Sequence, residues 1–240
     1  MQDWNQPQII TATDVTLSYS ASDAPVFVAS TSGDLTGSIS LGMRLRISQS
    51  TGGTKYFIVV AITSSAITLY GGTDYTLTNE TISSPVFSSA KAPFGFPLDL
   101  AKWTQTTKST SVTVQSSPAS GNWYNPGSLS LNIPIGSWSV QYQACQTFFK
   151  VGFATGNNDM YTTLSTANNS ESDVDLTSYT LLINGTTNNQ VMVNRTKKIT
   201  VTSKTTYYLN AKATSTYSTQ QVGFDGADSP TIISAVCAYL

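Results

Sequence analysis

Apolar and polar positions alternate along this chain in short runs, and no long stretch holds a helical period. In residues 43–49, Met43, Leu45 and Ile47 fall on one side of an extended chain and Arg44 and Arg46 on the other, because successive strand side chains point to opposite faces. Gly52 and Gly53 then supply a tight turn. Residues 55–62 follow as a more fully buried strand, and Ala66 to Tyr70 form a third, closed by Gly71 and Gly72. Three strands joined by short loops read as a meander. Residues 8–13, 15–20 and 25–29 add strands upstream, so the pattern predicts a small β-barrel or sandwich over residues 1–97.

That sheet ends at Ala92-Pro93-Phe94-Gly95-Phe96-Pro97, since proline cannot donate to a central ladder. Residues 98–127 read as a linker or an edge segment, polar and Thr-rich between Lys102 and Ser111. The alternation then resumes. Leu129, Leu131 and Ile133 share a face until Pro134 and Gly136 interrupt. Trp138, Val140, Tyr142 and Ala144 line one face of a long strand, with Ser139, Gln141, Gln143 and Cys145 on the other. Further strands are predicted at 179–183, 190–194, 198–203 and 205–213, with a turn at Asn184-Gly185. The last ten residues, 231–240, are apolar enough to predict a central strand or a subunit interface. About eight strands over 128–240 predict a jelly-roll sandwich. The fold class is therefore all-β, a small N-terminal β domain followed by a C-terminal jelly roll.

Composition narrows the chemistry. The chain carries 33 Ser and 36 Thr, and only 10% of its residues are charged. β-Branched Thr suits a pleated surface, while low charge and 10% aromatic content argue against a disordered chain. With His at 0, a Ser-His-Asp triad and imidazole metal ligands are excluded. Two Cys cannot build a four-thiolate zinc site; Cys145 and Cys237 read as small buried hydrophobes, a disulfide being the alternative in an oxidising compartment. A net charge of -1 lacks the basic field of a nucleic-acid-binding surface. The start of the chain has no signal-peptide pattern, and no apolar run is long enough to insert in a membrane.

Individual residues offer few sites. Glu80 and Glu171 are the two Glu, and Asp159, Asp173, Asp175, Asp225 and Asp228 fall in loop-like stretches. They read as turn acids in preference to a hydrolytic carboxylate pair. The run 168–175 offers oxygen ligands for calcium but has neither the spacing nor the Gly of an EF-hand loop. No catalytic residue, metal ligand or cofactor is assigned. Trp123 and Tyr124, in a loop between Gly121 and Pro126, are the candidate ligand-binding residues, since exposed aromatics stack on sugars or anchor interfaces. The alternative is that they fold back onto the core. Trp4 and Trp103 would pin the N-terminus and the linker, and Arg44 and Arg46 read as a solvated polar face.

Two resemblances add to this reading. Gly42 to Ile47, Lys55 to Val59, Ile67 to Gly72, Asp74 to Leu77 and the closing Gly95-Phe96-Pro97 together resemble a module recurring in tailed-bacteriophage virion proteins, which there serves as a virion-attachment or structural domain. Ile133 to Trp138, Thr205 to Leu209 and the apolar terminal strand resemble the tumour-necrosis-factor-like and complement-like jelly rolls at the ends of phage fibres. These resemblances imply a homotrimer and a location in the virion, assembled in the host cytoplasm. They also imply contacts with other virion proteins through the N-terminal domain, and a host cell-surface glycan or protein as the target. The expected function is a short tail or baseplate fibre or receptor-binding protein. A capsid decoration or neck protein is the alternative, and a virion-borne glycan hydrolase a further one. No heptads and no shaft are present, so the appendage would be short.

Overall fold

The computed structural model describes residue 4 and residues 15–23, 25–73, 76–150, 158–182, 188–214 and 220–239. The strand expected at 8–13, the turn at Asn184-Gly185, Asp74 of the phage-like module and Leu240 lie outside the described residues. Among the described residues every regular element is a strand, apart from three short 3-10 turns.

The first sheet holds β1 (Leu17–Asp23), β2 (Val26–Thr31), β3 (Arg44–Gln49), β4 (Gly53–Ile62), β5 (Ala66–Tyr70) and β6 (Ser83–Ser88). They run antiparallel in the order β1-β2-β5-β4-β3-β6. Its inner face carries Leu17, Phe27, Ala29, Leu45, Ile47, Phe57, Val59, Ile67, Leu69 and Phe87, gathered into one core. Among the described residues, the strands share that core with the buried loop side chains of Leu35, Ile39, Leu77 and Ile82 alone, so the sheet curls over its own side chains. Register shifts at Tyr19/Ala21, Arg46/Ser48 and Val59/Ala61 provide the bends, since a bulge increases local twist and curvature.

The second body is built from β7 (Thr104–Ser109), β8 (Val112–Ser116), β9 (Trp123–Tyr124), β10 (Ser130–Ile133), β11 (Gly136–Lys150), β12 (Asn158–Ser165), β13 (Thr177–Leu182), β14 (Asn188–Val201), β15 (Thr205–Ala213), β16 (Gln220–Asp225) and β17 (Thr231–Cys237). Its pairings nest from the ends inward. β7 pairs with β17 and β8 with β16; β9 and β10 both pair with β15; β11 pairs with β14 and β12 with β13. Successive pairs fall alternately into two sheets, β7/β8-β17/β16-β11-β14 and β9/β10-β15-β12-β13. A folded antiparallel ribbon of this kind is a jelly roll. The segment 98–127 thus carries its first strand, β7 with β8, and the ribbon begins at Thr104. Strands β16 and β17 are halves of one broken strand, both on the same side of β11. The apolar terminal segment is central, with β11 on one side and β7 on the other.

Between the two sheets lie Trp138, Val140, Tyr142 and Ala144 from β11, facing Leu131, Ile133, Met160, Leu164 and Leu209. The Tyr142 hydroxyl crosses the core to Thr162 O at 3.1 Å and Ser178 Oγ at 2.8 Å. Burial pushes its phenol up to about 12. Cys145 and Cys237 are both free and buried. Cys237 sits opposite Trp138, seven residues along β11 from Cys145, or roughly 23 Å at strand rise. A disulfide between them is out of reach.

A seam of aromatic rings joins the two bodies. Centroids step from Trp4 to Tyr56 at 5.8 Å, Tyr56 to Phe96 at 6.1 Å, Phe96 to Trp103 at 5.2 Å (stacked), Trp103 to Tyr70 at 5.7 Å and Tyr70 to Trp138 at 5.2 Å. Trp103 Nε1 donates to Pro97 O at 2.8 Å, and Gln105 Nε2 to the Tyr70 hydroxyl at 2.7 Å. The backbone closes up as well: Thr73 N donates to Lys102 O at 2.9 Å. A Cβ at Gly72, which sits at φ +70°, would run into that same oxygen.

The seam corrects one expectation. Arg44 and Arg46 do lie opposite Leu45 and Ile47, but the face they occupy is the one turned to the jelly roll. Arg44 is 2% exposed. Its guanidinium donates to the carbonyls of Gly42, Lys91 and Tyr239 and lies 5.1 Å over the Phe96 ring. Arg46, half-buried, sits 5.1 Å over Trp4. Alternation assigns a side chain to a face; whether water or another domain meets that face is a tertiary matter.

Candidate functional site

Trp123 and Tyr124 occupy β9, a two-residue strand on the edge of the second jelly-roll sheet. Adjacent strand residues point to opposite faces, and the pair is divided accordingly. Tyr124 packs inward against the core, and its hydroxyl accepts from Ala119 N at 2.9 Å. Trp123 points outward, opposite Lys212 of β15. Lys212 lies opposite Tyr161 of β12, and Tyr161 opposite Tyr179 of β13. Register alone therefore sets Trp123, Lys212, Tyr161 and Tyr179 in one row across four strands.

The side chains in this row touch. The Trp123 and Tyr161 centroids are 6.3 Å apart in an edge arrangement, and those of Tyr161 and Tyr179 are 5.1 Å apart. Lys212 Nζ lies 4.5 Å from the Trp123 centroid and 4.4 Å from that of Tyr161, held by the negative faces of two rings. At the far end the Tyr179 hydroxyl donates to Asp159 Oδ1 at 3.1 Å. Local desolvation and this carboxylate push the Tyr179 phenol above its ordinary range. Tyr179 is 52% exposed; Trp123, Tyr161 and Lys212 are half-buried.

One flank of the row is walled by residues 166–172. Asn210 Nδ2 donates to Ala167 O and Ser170 O at 2.9 and 2.7 Å, and Asn169 Oδ1 accepts from Asn125 N at 2.7 Å. These bonds fix the loop over the neighbouring row of the sheet. The result is a shelf with an aromatic floor, a cation between Trp123 and Tyr161, and a carboxylate beside Tyr161 on β12 that Tyr179 reaches. Its place in the molecule follows from β15. Thr205 begins that strand near the first domain, where Lys204 pairs with Asp23. Lys212 is seven residues further on, roughly 23 Å away at strand rise. The shelf is at the end of the jelly roll remote from the first domain.

The other acids weighed from sequence have partners. Asp173 accepts from Asp175 N to cap a 3-10 turn, and Lys197 Nζ sits between the two carboxylates at 2.6 and 2.8 Å. Glu171 accepts from Thr177 Oγ1 at 2.6 Å. Asp225 and Asp228 both accept from Gln190 Nε2 at 2.9 and 2.8 Å. Asp159 is not in a loop: it belongs to β12. The sequence reading missed Tyr161, Tyr179 and Lys212 as partners of Trp123. Their signal is the outward alternation Asp159, Tyr161, Thr163 in a segment too polar to have been read as a strand. A second concavity of about 220 Å³ lies on the outer face of the other sheet, lined by Gln141, Gln143, Asn194, Thr196, Ile232 and Ser234. It offers amides and hydroxyls, and Tyr142, which also lines it, turns its ring the other way into the core.

No protein-family model matches the chain, and neither does any curated protein. Among solved structures, the infectious bursal disease virus VP2 subviral particle is similar at 14% identity and a TM-score of 0.30. The structure of the infectious bursal disease virus Gx strain is similar at 11% and 0.29. Each match covers 92% of this chain and 59% of the other, so the chain spans well under two thirds of their length. A likeness this weak says nothing about activity.

Proposed function

We propose that this is a non-enzymatic structural protein of a virion that attaches the particle to its host, the first domain seating it among other virion proteins and the jelly roll presenting its remote end to a cell-surface glycan. The observation that carries this reading is the Trp123–Lys212–Tyr161–Tyr179 shelf at that end. Aromatic rings present apolar faces to the C–H faces of sugars, while neighbouring polar groups meet the hydroxyls. The resemblance of residues 42–97 to phage virion modules favours a tail or baseplate location. The acids considered for hydrolysis are engaged in caps, ion pairs and hydroxyl contacts, which favours binding over turnover. A homotrimer fits the attachment role, because several weak sites on one particle gain from multivalency.

Immunogold labelling of intact particles tests the location, with gold expected at the tail end. Decorated heads with bare tails would reassign the protein to capsid decoration. Purified protein is expected to bind host cells without releasing reducing sugar, and Trp123→Ala to remove most of that binding. A stable species of 25.6 kDa in solution at micromolar concentration would rule out the trimer.

A further inference from the structure

We infer that the shelf selects an anionic glycan, with the acidic group of the sugar seated at Lys212; this rests on the attachment reading above. An ammonium carries three N–H donors. Lys212 Nζ rests against the faces of Trp123 and Tyr161, and among the described residues it meets no carboxylate and no hydrogen-bond acceptor. Lys197, by contrast, is held by Asp173 and Asp175, and Lys204 by Asp23. Ring faces hold a cation by charge distribution but accept hydrogen bonds poorly, so the donors of Lys212 remain available to an incoming anion. The ammonium is also held in place between the two rings before a ligand arrives, which lowers the ordering cost of binding.

The two charges on the shelf orient such a ligand. Asp159 is the acidic group closest to the row, and its Oδ1 is taken by the Tyr179 hydroxyl. An acidic group placed there would face a carboxylate, whereas at Lys212, on the adjoining strand β15, it meets a cation. The sugar ring then lies over Tyr161 and Tyr179, with its hydroxyls toward Asp159. The chemistry shared by suitable ligands is a saccharide or polyol bearing a carboxylate or a phosphate.

The test is calorimetric titration of the full-length protein with trigalacturonate, its fully methyl-esterified form and a glycerol-phosphate trimer, in low and high salt. The expected result is that at least one of the two anionic probes binds roughly tenfold more tightly than the neutral ester, the size of one charge-assisted hydrogen bond. Whichever binds tighter identifies the carboxylate or phosphate source. Lys212→Met keeps the alkyl stem against the rings and is expected to abolish the preference for the anionic probe over the ester. Lys212→Gln is the second variant, should Met disturb the fold. Equal affinity for all three probes, or no binding of any, overturns the inference. The attachment reading is judged separately, by whether Trp123→Ala abolishes adsorption of the protein to host cells.

Discussion

At the residue scale, Arg44 shows how one side chain decides what a surface is for. A buried guanidinium is tolerated only when its donors are used. Here they are used on three backbone carbonyls from three parts of the chain: Gly42 beside it, Lys91 after β6 and Tyr239 at the end of the jelly roll. Burial pulls the guanidinium below its ordinary value, though an arginine stays charged throughout the accessible pH range. Arg44→Met is expected to lower unfolding free energy by roughly 2–4 kcal/mol, because it leaves buried carbonyls without donors. Arg46→Met should cost about 1 kcal/mol or less, the worth of a partly exposed cation–ring contact. Urea titrations of the two variants check the contrast, and equal small losses would mean that the Arg44 contacts contribute little.

At the element scale, strands with strict alternation were legible and strands with polar inner or outer faces were not. The β3-β4-β5 meander and the inward face of β11 stand where the pattern put them. Strand β14 was read as two pieces, 190–194 and 198–203, with the polar Arg195, Thr196 and Lys197 between them. It is one 14-residue strand, since it lies at a sheet edge, where outward side chains meet water at little cost. Strand β12 escaped notice because its inward residues include Thr162, whose oxygens are satisfied by Tyr142 and Gln146, so its burial leaves no apolar signature. The candidate site inherits that gap: Trp123 and the strands carrying Tyr179 and Lys212 were visible, and β12, which sets Tyr161 between them, was not. The turn between β3 and β4 carries a further prediction. Glu80 accepts hydrogen bonds from the Ser50 and Thr78 hydroxyls and from the Thr51 hydroxyl and N–H, which lower its carboxyl from 4.5 to about 2. A carboxyl lowered in the folded state stabilises it above the unfolded value and loses that contribution as pH falls toward the folded value. Wild-type protein is therefore expected to be more stable than Glu80→Gln at pH 7, with the difference shrinking between about pH 4.5 and pH 2. Denaturation midpoints across that range check it, and a difference independent of pH would show that the carboxylate is not what holds the turn.

At the scale of the whole molecule, the aromatic seam makes two bodies behave as one. Each has an interior of its own, yet Val26, Ile58, Val60 and Tyr70 of the first sheet belong to the same buried cluster as Trp138, Val140 and Ile233 of the jelly roll. Two domains joined by a flexible linker would let the remote shelf sample many orientations. Joined through stacked rings, with Trp103 0% exposed at the centre, the shelf keeps a fixed direction relative to the first domain. In the proposed attachment role that direction matters, since simultaneous engagement of several copies is lost when their geometry forbids it. The energetic consequence is cooperativity: surface shared by two bodies is lost by both when either unfolds. Wild-type protein is accordingly expected to unfold in a single calorimetric transition. Trp103→Ala empties the centre of the seam at a cost of roughly 3–5 kcal/mol and should split that transition, the two bodies then melting at different temperatures. Two separate transitions in the wild-type protein, unmoved by Trp103→Ala, would show that the seam does not couple them and that the shelf's direction is not set through it.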